Sequence, residues 1–358
     1  MRQRCMTNAG PAGELGMETM SAIGALPSST RPYKAVILHN LMSDWTATDV
    51  MTSEEAVRRM TLGLEAQGLD VCAVQVRGDV AAGLGGLDPR EHVIFNWCEG
   101  LDGLPRSYDA VPPVLESHGF AYTGAGAWTL ATTQDKARTK ALMLEHGVPT
   151  PEAKVYARSE TNGWHRFPAL VKPAMEHCSY GIEPEAVVDD PQQLQQRIEY
   201  VIEKYQSDAL VEDFIDGTEF NVSIWGNGRL TVLPLSEIEF AGIEDYHDRL
   251  VSFDAKWTPE SDAWRQTSVH CPAEVEPELR QRLETAAKSA YKLFRLRDYG
   301  RIDMRVRDGQ PYVLDVNSNP DITMEGGFAR SARAAGFDYG RMTTRILDYA
   351  AKRMPREA

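Results

Sequence analysis

The stretch GRIDMRVRDGQPYVLDVNSNPD, from Gly300 to Asp321, predicts two strands joined by a turn. In its first half, Ile302, Met304 and Val306 alternate with charged residues, which is the period of two typical of a half-buried strand. Asp308-Gly309 is a strong turn signal, and a second apolar run follows it. The stretch therefore predicts a hairpin with one apolar face and one polar face.

The length of the turn decides which polar residues of the two strands meet. In a regular ladder, a two-residue loop would place Asp303 opposite Leu314, on the wrong face. A three-residue loop with Gly309 near the left-handed region would place Asp303 opposite Asp315. Pro311 cannot donate a hydrogen bond to a ladder and suits such an irregular corner. We therefore expect the three-residue loop.

The same register places Arg301 opposite Asn317 and brings Asp303, Asp315 and Asn317 to one patch. Carboxylate and amide oxygens are hard ligands of the kind that Mg²⁺ accepts, usually with phosphate oxygens completing the shell. The alternative is a solvated hairpin face with scattered charges. This stretch alone leaves both interpretations open.

Length and composition limit the classes of protein that need to be considered. The 358 residues suffice for two or three domains, and 42% hydrophobic with 25% charged residues is ordinary for a soluble globular chain. A net charge of -14 argues against a nucleic-acid-binding surface, although a local phosphate site remains compatible with it. The five cysteines form no metal-type pair, which favours a reducing, cytoplasmic setting. No apolar run of 18 residues or more predicts a membrane span.

The order of apolar runs predicts a parallel sheet followed by a mixed region. Residues 1–31 are predicted to be a flexible tail or to precede the real start, at Met17 or Met20. Beyond them, the predicted strands are 34–40, 69–76, 92–97, 169–172 and 209–214, besides the hairpin. The predicted helices are 54–67, 129–146, 191–205, 277–294 and 339–351.

Familiar nucleotide-binding and hydrolase motifs are missing from the sequence. There is no Gly-Lys pair for a Walker loop, and GAGAW at 124–128 lacks the third glycine of a dinucleotide fingerprint. Lys172 ends the apolar strand PALVKPA, where a lysine is costly unless it meets an anion. The loop that follows, with Ser179 and Gly181, could bring backbone N–H groups to a phosphate. Lys172 could instead be an ordinary surface lysine. Lys136 and Lys140 are four residues apart, so they could instead lie on one solvated face of a helix.

Six motifs follow one another along the chain: YTGAG at 122–126, QDKARTKALMLEHGVPTP at 134–151, LVKPAMEHCSYGI at 170–182, LVEDFIDGTEFNV at 210–222, SFDAKW at 252–257 and the hairpin ending in LDVNSNP at 300–320. In this order, they make the chain resemble the D-alanine–D-alanine ligase branch of the ATP-grasp superfamily. The resemblance extends from about residue 94 to residue 347. Each motif alone is weak, whereas the order of all six is specific.

The resemblance implies a three-domain α/β architecture with an α+β C-terminal part. The implied limits are 1–31 for the tail, 32–126 for the N-terminal α/β domain, 127–206 for a central ATP-grasp subdomain and 207–358 for a C-terminal subdomain with the metal site. ATP would lie between the last two.

The resemblance also implies nucleotide contacts. Lys136 and Lys172 would hold the phosphates of ATP, next to the loop that carries Ser179. Adenine would meet Glu212 and Ile215, ribose would meet Glu219, and Lys256 would reach the γ-phosphate from a mobile loop.

Two Mg²⁺ ions, for which Mn²⁺ could substitute, would be held by Asp303, Asp315 and Asn317. Asp315 replaces the glutamate usual in the family. Arg301 would stabilise the reaction centre. The implied reaction starts when a carboxylate attacks the γ-phosphate and gives an acyl phosphate and ADP. An amine then displaces phosphate and forms an amide. Because the acyl phosphate must be kept from water, a loop around 243–260 is expected to close.

The substrate pocket departs from the family pattern at several positions. The acid that anchors the first substrate's ammonium falls at Asp49, an alignment supported by Ser53. Trp257 replaces a loop tyrosine and so removes its hydroxyl.

After NSNP the chain reads DITMEGGF, so Gly326 and Gly327 occupy the positions of a Ser-Leu pair that holds the second substrate. Asp321 and Glu325 add negative charge there, which favours a bulkier or more basic acceptor than D-alanine.

The first hypothesis is therefore a carboxylate–amine ligase with small-molecule substrates, an amino acid or peptide being the acceptor. The alternatives are true D-alanine–D-alanine ligation, a nucleotide-binding protein that no longer catalyses, and other ATP-grasp chemistry such as carboxylation. The sequence leaves a homodimer open and predicts no nucleic-acid or membrane partner.

Overall fold

The strands form three sheets in this computed structural model, which describes residues 31–176, 179–240, 242–252 and 261–355. In these ranges the strands are β1 (Lys34–Asn40), β2 (Val71–Val76), β3 (His92–Trp97), β4 (Ala121–Tyr122), β5 (Ala153–Tyr156), β6 (Ala169–Pro173), β7 (Val187–Val188), β8 (Ala209–Asp213), β9 (Glu219–Trp225), β10 (Thr231–Val232), β11 (Ser236–Glu239), β12 (Ser268–His270), β13 (Tyr299–Arg307) and β14 (Gln310–Asn317).

The α-helices in the same ranges are α1 (Ala47–Glu65), α2 (Val80–Gly83), α3 (Val111–Ser117), α4 (Ala127–Gln134), α5 (Lys136–Glu145), α6 (Pro191–Tyr205), α7 (Asp262–Gln266), α8 (Pro277–Leu293), α9 (Gly327–Ala334) and α10 (Tyr339–Ala351). Short 3₁₀ turns occupy Tyr108–Ala110, Pro184–Ala186 and Tyr246–Asp248. None of the helices described is long and apolar enough to cross a membrane.

The N-terminal sheet is parallel, with strand order β2-β1-β3-β4, as the sequence predicted. Helix α1 begins at Ala47, seven residues before the predicted start. The cause is a capping box, in which the Thr46 hydroxyl accepts from Asp49 N–H and the Asp49 carboxylate accepts from Thr46 N–H. This pair of polar residues satisfies N–H groups at the start of the helix. Hydrophobic periodicity does not detect such a cap, so the predicted start was too late.

The central sheet is antiparallel, with order β5-β8-β6-β7, and α6 packs on it. Helix α6 begins after the cap Asp190 and spans the predicted residues. Strand β8 (Ala209–Asp213) pairs with β5 and β6, so it lies on the central side of the limit expected at residue 206. The domain limits remain a prediction, and this pairing favours a limit after Asp213.

The prediction of a single helix at 129–146 was wrong, because this segment forms two helices. Asp135 leaves helical geometry at ψ 96° and separates α4 from α5. Its carboxylate accepts from Arg138 N–H and caps α5. The break turns Lys136, at the start of α5, towards the C-terminal sheet, where it meets Asp315.

The C-terminal sheet has the order β12-β11-β9-β13-β14, with β10 paired to β9. The predicted three-residue turn was wrong. Asp308 and Gly309 form a two-residue loop, both with positive φ (54° and 71°), as a type I′ hairpin requires. Pro311 is not in an irregular corner, because it pairs with Val306 on what is an edge strand.

The predicted pairing of the polar residues is nevertheless confirmed. Met304 pairs with Val313 and Asp303 with Asp315, so Leu314 is an extra residue in β14. This bulge, and not the loop length, shifts the register by one. Arg301 consequently lies opposite Asn317, as expected.

A buried carboxylate joins the N-terminal sheet to the rest of the chain. Asp298 is fully buried, and both of its oxygens accept from the guanidinium of Arg353, at 2.7 and 2.6 Å. Gly124 N–H donates to the same carboxylate at 2.9 Å, and Arg353 also donates to the carbonyl of Tyr122. The end of β4, the start of β13 and the segment after α10 are thus held at one point.

Helix α10 packs back onto the first elements of the chain. Its apolar face joins Ile37 of β1 and Met60 and Leu64 of α1 in one core cluster. A Cβ at Gly340 would lie 2.3 Å from the carbonyl oxygen of Gly63, so close approach of the two helices requires glycine there.

Replacing Arg353 with methionine should destabilise the fold by about 3 kcal/mol, because it leaves a buried carboxylate without its cation. Urea unfolding followed by circular dichroism would measure the loss. Arg58→Met is the matched control: Arg58 pairs with Glu55 at the surface, so its removal should barely move the midpoint. Equal midpoint shifts in the two variants would contradict the role given to Asp298.

Candidate functional site

A cavity of about 670 Å³ lies where the three sheets meet. Its walls come from the carboxyl ends of β1 and β3, the loop after β6, and the β13–β14 hairpin with the segment that follows it. Most residues predicted from separate motifs line this cavity, namely Lys136, Lys172, Ser179, Glu219, Arg301, Asp303, Asp315 and Asn317. Residues far apart in the sequence are therefore brought to one site.

Asp303 accepts four side-chain hydrogen bonds on the floor of the cavity. Arg301 donates to both of its oxygens, at 2.7 and 2.9 Å. Asn221 and Asn317 each donate a side-chain N–H to it at 2.8 Å. Burial opposes the charge of Arg301, but Asp303 outweighs it and holds the pKa of the guanidinium above its usual value. Arg301 is thus a fixed cation on the cavity floor.

Asp315 supplies a second carboxylate on the neighbouring strand. Lys136 Nζ lies 2.8 Å from its Oδ2. Together with Asp303 and the amide of Asn317, it forms a donor set that fits a divalent cation bound with a phosphate-bearing ligand. Within the described ranges, no three His, Cys, Asp or Glu side chains form a metal cluster, so oxygens from the ligand or from water would have to complete the shell.

A second charged cluster lies behind the cavity wall. Glu212 accepts from Lys172 at 2.5 Å, and Lys140 Nζ lies 2.7 Å from its other oxygen. Lys140 also donates to Thr150. The solvated helix face weighed for Lys136 and Lys140 is wrong, because both are buried, Lys140 to 3% exposure.

Burial and the two lysines act in opposite directions on Glu212. Burial raises the pKa of its carboxyl group, but Lys140 and Lys172 outweigh burial, so the pKa is lower than usual. For Lys140, burial dominates and lowers the pKa, although Glu212 opposes this. The cluster holds two lysines against one carboxylate, which favours an additional anion near Lys172.

The loop after β6 turns sharply beside Lys172. Ser179 and Gly181 have positive φ (62° and 74°), and a Cβ at Gly181 would lie 2.7 Å from the ring of Pro173. The hydroxyl of Ser179 donates to the carbonyl of Val251 at 2.8 Å. The predicted approach of this loop to a phosphate stays a prediction.

Glu219 lines the cavity but is already paired. Arg305, which is 3% exposed, donates to it at 2.9 Å and to the carbonyl of Ile215 at 3.2 Å. Sequence reasoning did not single out Arg305, although it shares the polar face of β13 with Arg301 and Asp303. Ile215 is itself buried and does not line the cavity.

Asp49 does not line the cavity, because its carboxylate caps α1. Its placement does not support the ammonium-anchoring role expected for it. Ser53, which supported that alignment, does line the cavity. Lys256 and Trp257 lie outside the described residues, as does much of the loop expected to close over the site.

The chain has the ATP-grasp architecture: a parallel N-terminal sheet, two antiparallel sheets, and a cavity between them with lysine and arginine among its lining residues. The family described as D-ala D-ala ligase C-terminus matches residues 142–348. The chain therefore belongs to the D-alanine–D-alanine ligase family of ATP-grasp ligases.

Individual relatives agree with this assignment. The uncharacterised protein y4sG of Sinorhizobium fredii is 36% identical over 73% of this chain and 75% of its own. A D-alanine–D-alanine ligase of Alcanivorax borkumensis is 33% identical over 71% of this chain and 76% of its own.

Solved structures share the fold. A D-alanine–D-alanine ligase from Bacillus anthracis complexed with ATP has a TM-score of 0.67 and 22% identity, covering 88% of this chain and 97% of its own. The VanG D-Ala:D-Ser ligase from Enterococcus faecalis has the same TM-score with 18% identity, covering 89% of this chain and 99% of its own.

The pH dependence of stability should change in Glu212→Gln. Because the folded-state pKa of Glu212 is lowered, its charge stabilises the fold above the unfolded pKa of about 4.3. This contribution is lost as the pH falls through the folded value. The variant should lose about 3 kcal/mol at pH 7, and its difference from the wild type should shrink as the pH falls below about 4.

Urea midpoints of both proteins between pH 7 and pH 3 would measure this effect. Glu65→Gln is the control, because Glu65 is exposed at the end of α1 and forms no ion pair with a described residue. A difference between wild type and Glu212→Gln that stays constant over this pH range would count against the charged cluster.

Proposed function

We propose that the cavity binds ATP with Mg²⁺ and that the protein joins a carboxylate to an amine through an acyl phosphate. The observation that carries the proposal is the meeting of Lys136 and Lys172 with the polar face of the β13–β14 hairpin in one cavity. Phosphoryl transfer needs positioning and charge neutralisation more than covalent help from the protein. The family membership supplies the reaction type.

The proposed reaction has two steps. A carboxylate oxygen of the donor bonds to the γ-phosphorus of ATP, and ADP leaves with the electrons of the broken P–O bond. The amine nitrogen of the acceptor then bonds to the acyl carbon, loses a proton and expels phosphate. The product is an amide.

The described residues suit both steps. Lys136 and Lys172 would neutralise phosphate charge, and Arg301, held by Asp303, would stabilise the oxyanion that forms when the amine attacks. Mg²⁺ held by Asp303, Asp315 and Asn317 would neutralise further phosphate charge. One or two ions, or Mn²⁺, are compatible with this donor set.

The nucleoside end is less open than the phosphate end. Glu212 and Ile215 lie behind the cavity wall and Glu219 is bound to Arg305. Contact of adenine with Glu212 and Ile215, and of ribose with Glu219, would require these pairs to rearrange around the nucleotide. Lys256 remains proposed for the γ-phosphate.

The alternative function within the family is D-alanine–D-alanine ligation itself. Structures of this fold include a ligase named for D-Ala and D-Ser, so the fold accommodates more than one acceptor. A nucleotide-binding protein that no longer catalyses is disfavoured, because Arg301, Asp303, Asp315 and Asn317 are all present and face one another. Phosphate release from ATP over a panel of D- and L-amino acids, with products identified by mass spectrometry, tests these alternatives.

Removing one carboxylate of the hairpin should nearly abolish turnover. In Asp303→Asn or Asp315→Asn, we expect kcat to fall at least about 100-fold, because phosphate charge is less well neutralised at the transition state. Asp308→Asn, at the exposed turn of the same hairpin, is the matched control and should keep wild-type kcat. Wild-type turnover in both cavity variants would refute the site.

Lys172→Met should weaken ATP binding about tenfold or more, because it removes a charged contact to phosphate. Isothermal titration calorimetry with a non-hydrolysable ATP analogue would measure the affinity. Thermal unfolding of the same variant separates binding from folding. Wild-type affinity in a folded variant would rule out a phosphate contact for Lys172.

A further inference from the structure

One cation of the cavity has no partner within the described part of the chain. Arg330, in the first turn of α9, lines the cavity, yet its guanidinium makes no hydrogen bond or ion pair with any described residue. The other cations differ, since Lys136 binds Asp315, Lys172 binds Glu212 and Arg301 binds Asp303. Burial, with added repulsion from neighbouring guanidinium groups, lowers the pKa of Arg330. Asp321 attracts the guanidinium but forms no ion pair with it, so the N–H groups of Arg330 are available to a ligand.

The start of α9 lies next to the reaction centre. Gly326 is the N-cap and supplies no side-chain cap, so the N–H groups of the first turn lack intrahelical acceptors. A Cβ at Gly327 would lie 3.7 Å from Arg301 Nη1 and 3.7 Å from Asn221 Oδ1. The helix therefore begins against Arg301, with Arg330 three residues further along.

The two acids expected to favour a basic acceptor already have partners. Glu325 is paired with Arg59 at 2.8 Å. Asp321 accepts from the N–H and the hydroxyl of Thr323 at 2.9 and 3.1 Å, closing a local turn. Glu325 is therefore neutralised by a cation, whereas Asp321 keeps its charge and is held in place by neutral donors. Arg330 is the cation at this end of the cavity, and no carboxylate of the described residues forms an ion pair with it.

We propose that Arg330 determines acceptor specificity by binding a second carboxylate, so that the preferred acceptor is an amino acid with an acidic side chain. This inference rests on the proposed ligase function. The α-carboxylate would lie at the N–H groups of the first turn of α9, and the side-chain carboxylate would pair with the guanidinium, which binds carboxylates bidentately. An acceptor without that second anion leaves Arg330 half-buried and unpaired, which weakens binding.

Acceptors of matched shape test this inference. Aspartate and glutamate, in both chiralities, are compared with asparagine and glutamine, and with alanine and lysine. For the wild type, kcat/KM with an acidic acceptor should be at least about tenfold higher than kcat/KM with the corresponding amide. Equal use of the acid and the amide, or a preference for lysine, would overturn the inference.

Variants of Arg330 identify the residue responsible. Arg330→Met should raise KM for the acidic acceptor about tenfold or more and change KM for the amide much less, and Arg330→Lys should restore part of the preference. Arg341→Met, on the exposed side of α10 where Arg341 donates to the Gly336 carbonyl, is the control. An unchanged acid-to-amide ratio in Arg330→Met would also overturn the inference.

Hydroxylamine separates this inference from the function on which it rests. As a small uncharged nucleophile, it converts an acyl phosphate into a hydroxamate and phosphate without needing the acceptor site. The donor for this assay is the amino acid that gives the most product in the phosphate-release panel. With it, the wild type and Arg330→Met should form hydroxamate at equal rates. If the wild type forms none from any donor, the ligase proposal fails and this inference fails with it. A loss confined to Arg330→Met would mean that Arg330 acts in the first step and not on the acceptor.

Discussion

The extra residue Leu314 sets the relation between the two carboxylates on the cavity floor. Without a one-residue shift, a two-residue loop at Asp308-Gly309 would place Asp303 and Asp315 on opposite faces of the hairpin. With it, Asp303 lies opposite Asp315 while both strands keep their apolar residues in the core. The favoured type I′ loop and the polar patch are thereby compatible in one hairpin.

Charge balance is the second constraint on the site. Each carboxylate on the floor faces a cation, and the buried group of Lys140, Lys172 and Glu212 holds one lysine more than it has carboxylates. Arg330 adds another positive charge. A chain with a net charge of -14 thus places individual cations, beside the carboxylates that hold them, where phosphate and carboxylate groups would bind. Buried pairs of this kind are expensive to desolvate, which explains why each is tightly hydrogen-bonded.

The sequence predicted features that depend on local patterns. Alternation along β13 and β14 predicted the hairpin and its facing acids, and the cap Asp190 with Pro191 marked the start of α6. It did not predict the bulge, because the order of apolar and polar residues along β14 does not show which residue is left without a partner in β13.

Features that depend on distant residues were also missed. Lys140 is buried through Thr150 and Glu212, and Arg330 faces the cavity through the placement of α9. The pattern of apolar and polar residues along α5 or α9 does not reveal these distant neighbours. The order of six motifs identified the family, whereas the partners of Glu219, Asp321 and Glu325 required coordinates.

The packing of α10 against β1 and α1 has a consequence for synthesis of the chain. The core beneath α1 includes Ile346 and Leu347, which leave the ribosome almost three hundred residues after Met60. The N-terminal sheet consequently emerges first but stays without its apolar cover until translation is nearly complete. A growing chain carries an exposed hydrophobic face for most of that time, a condition in which nascent proteins depend on chaperones.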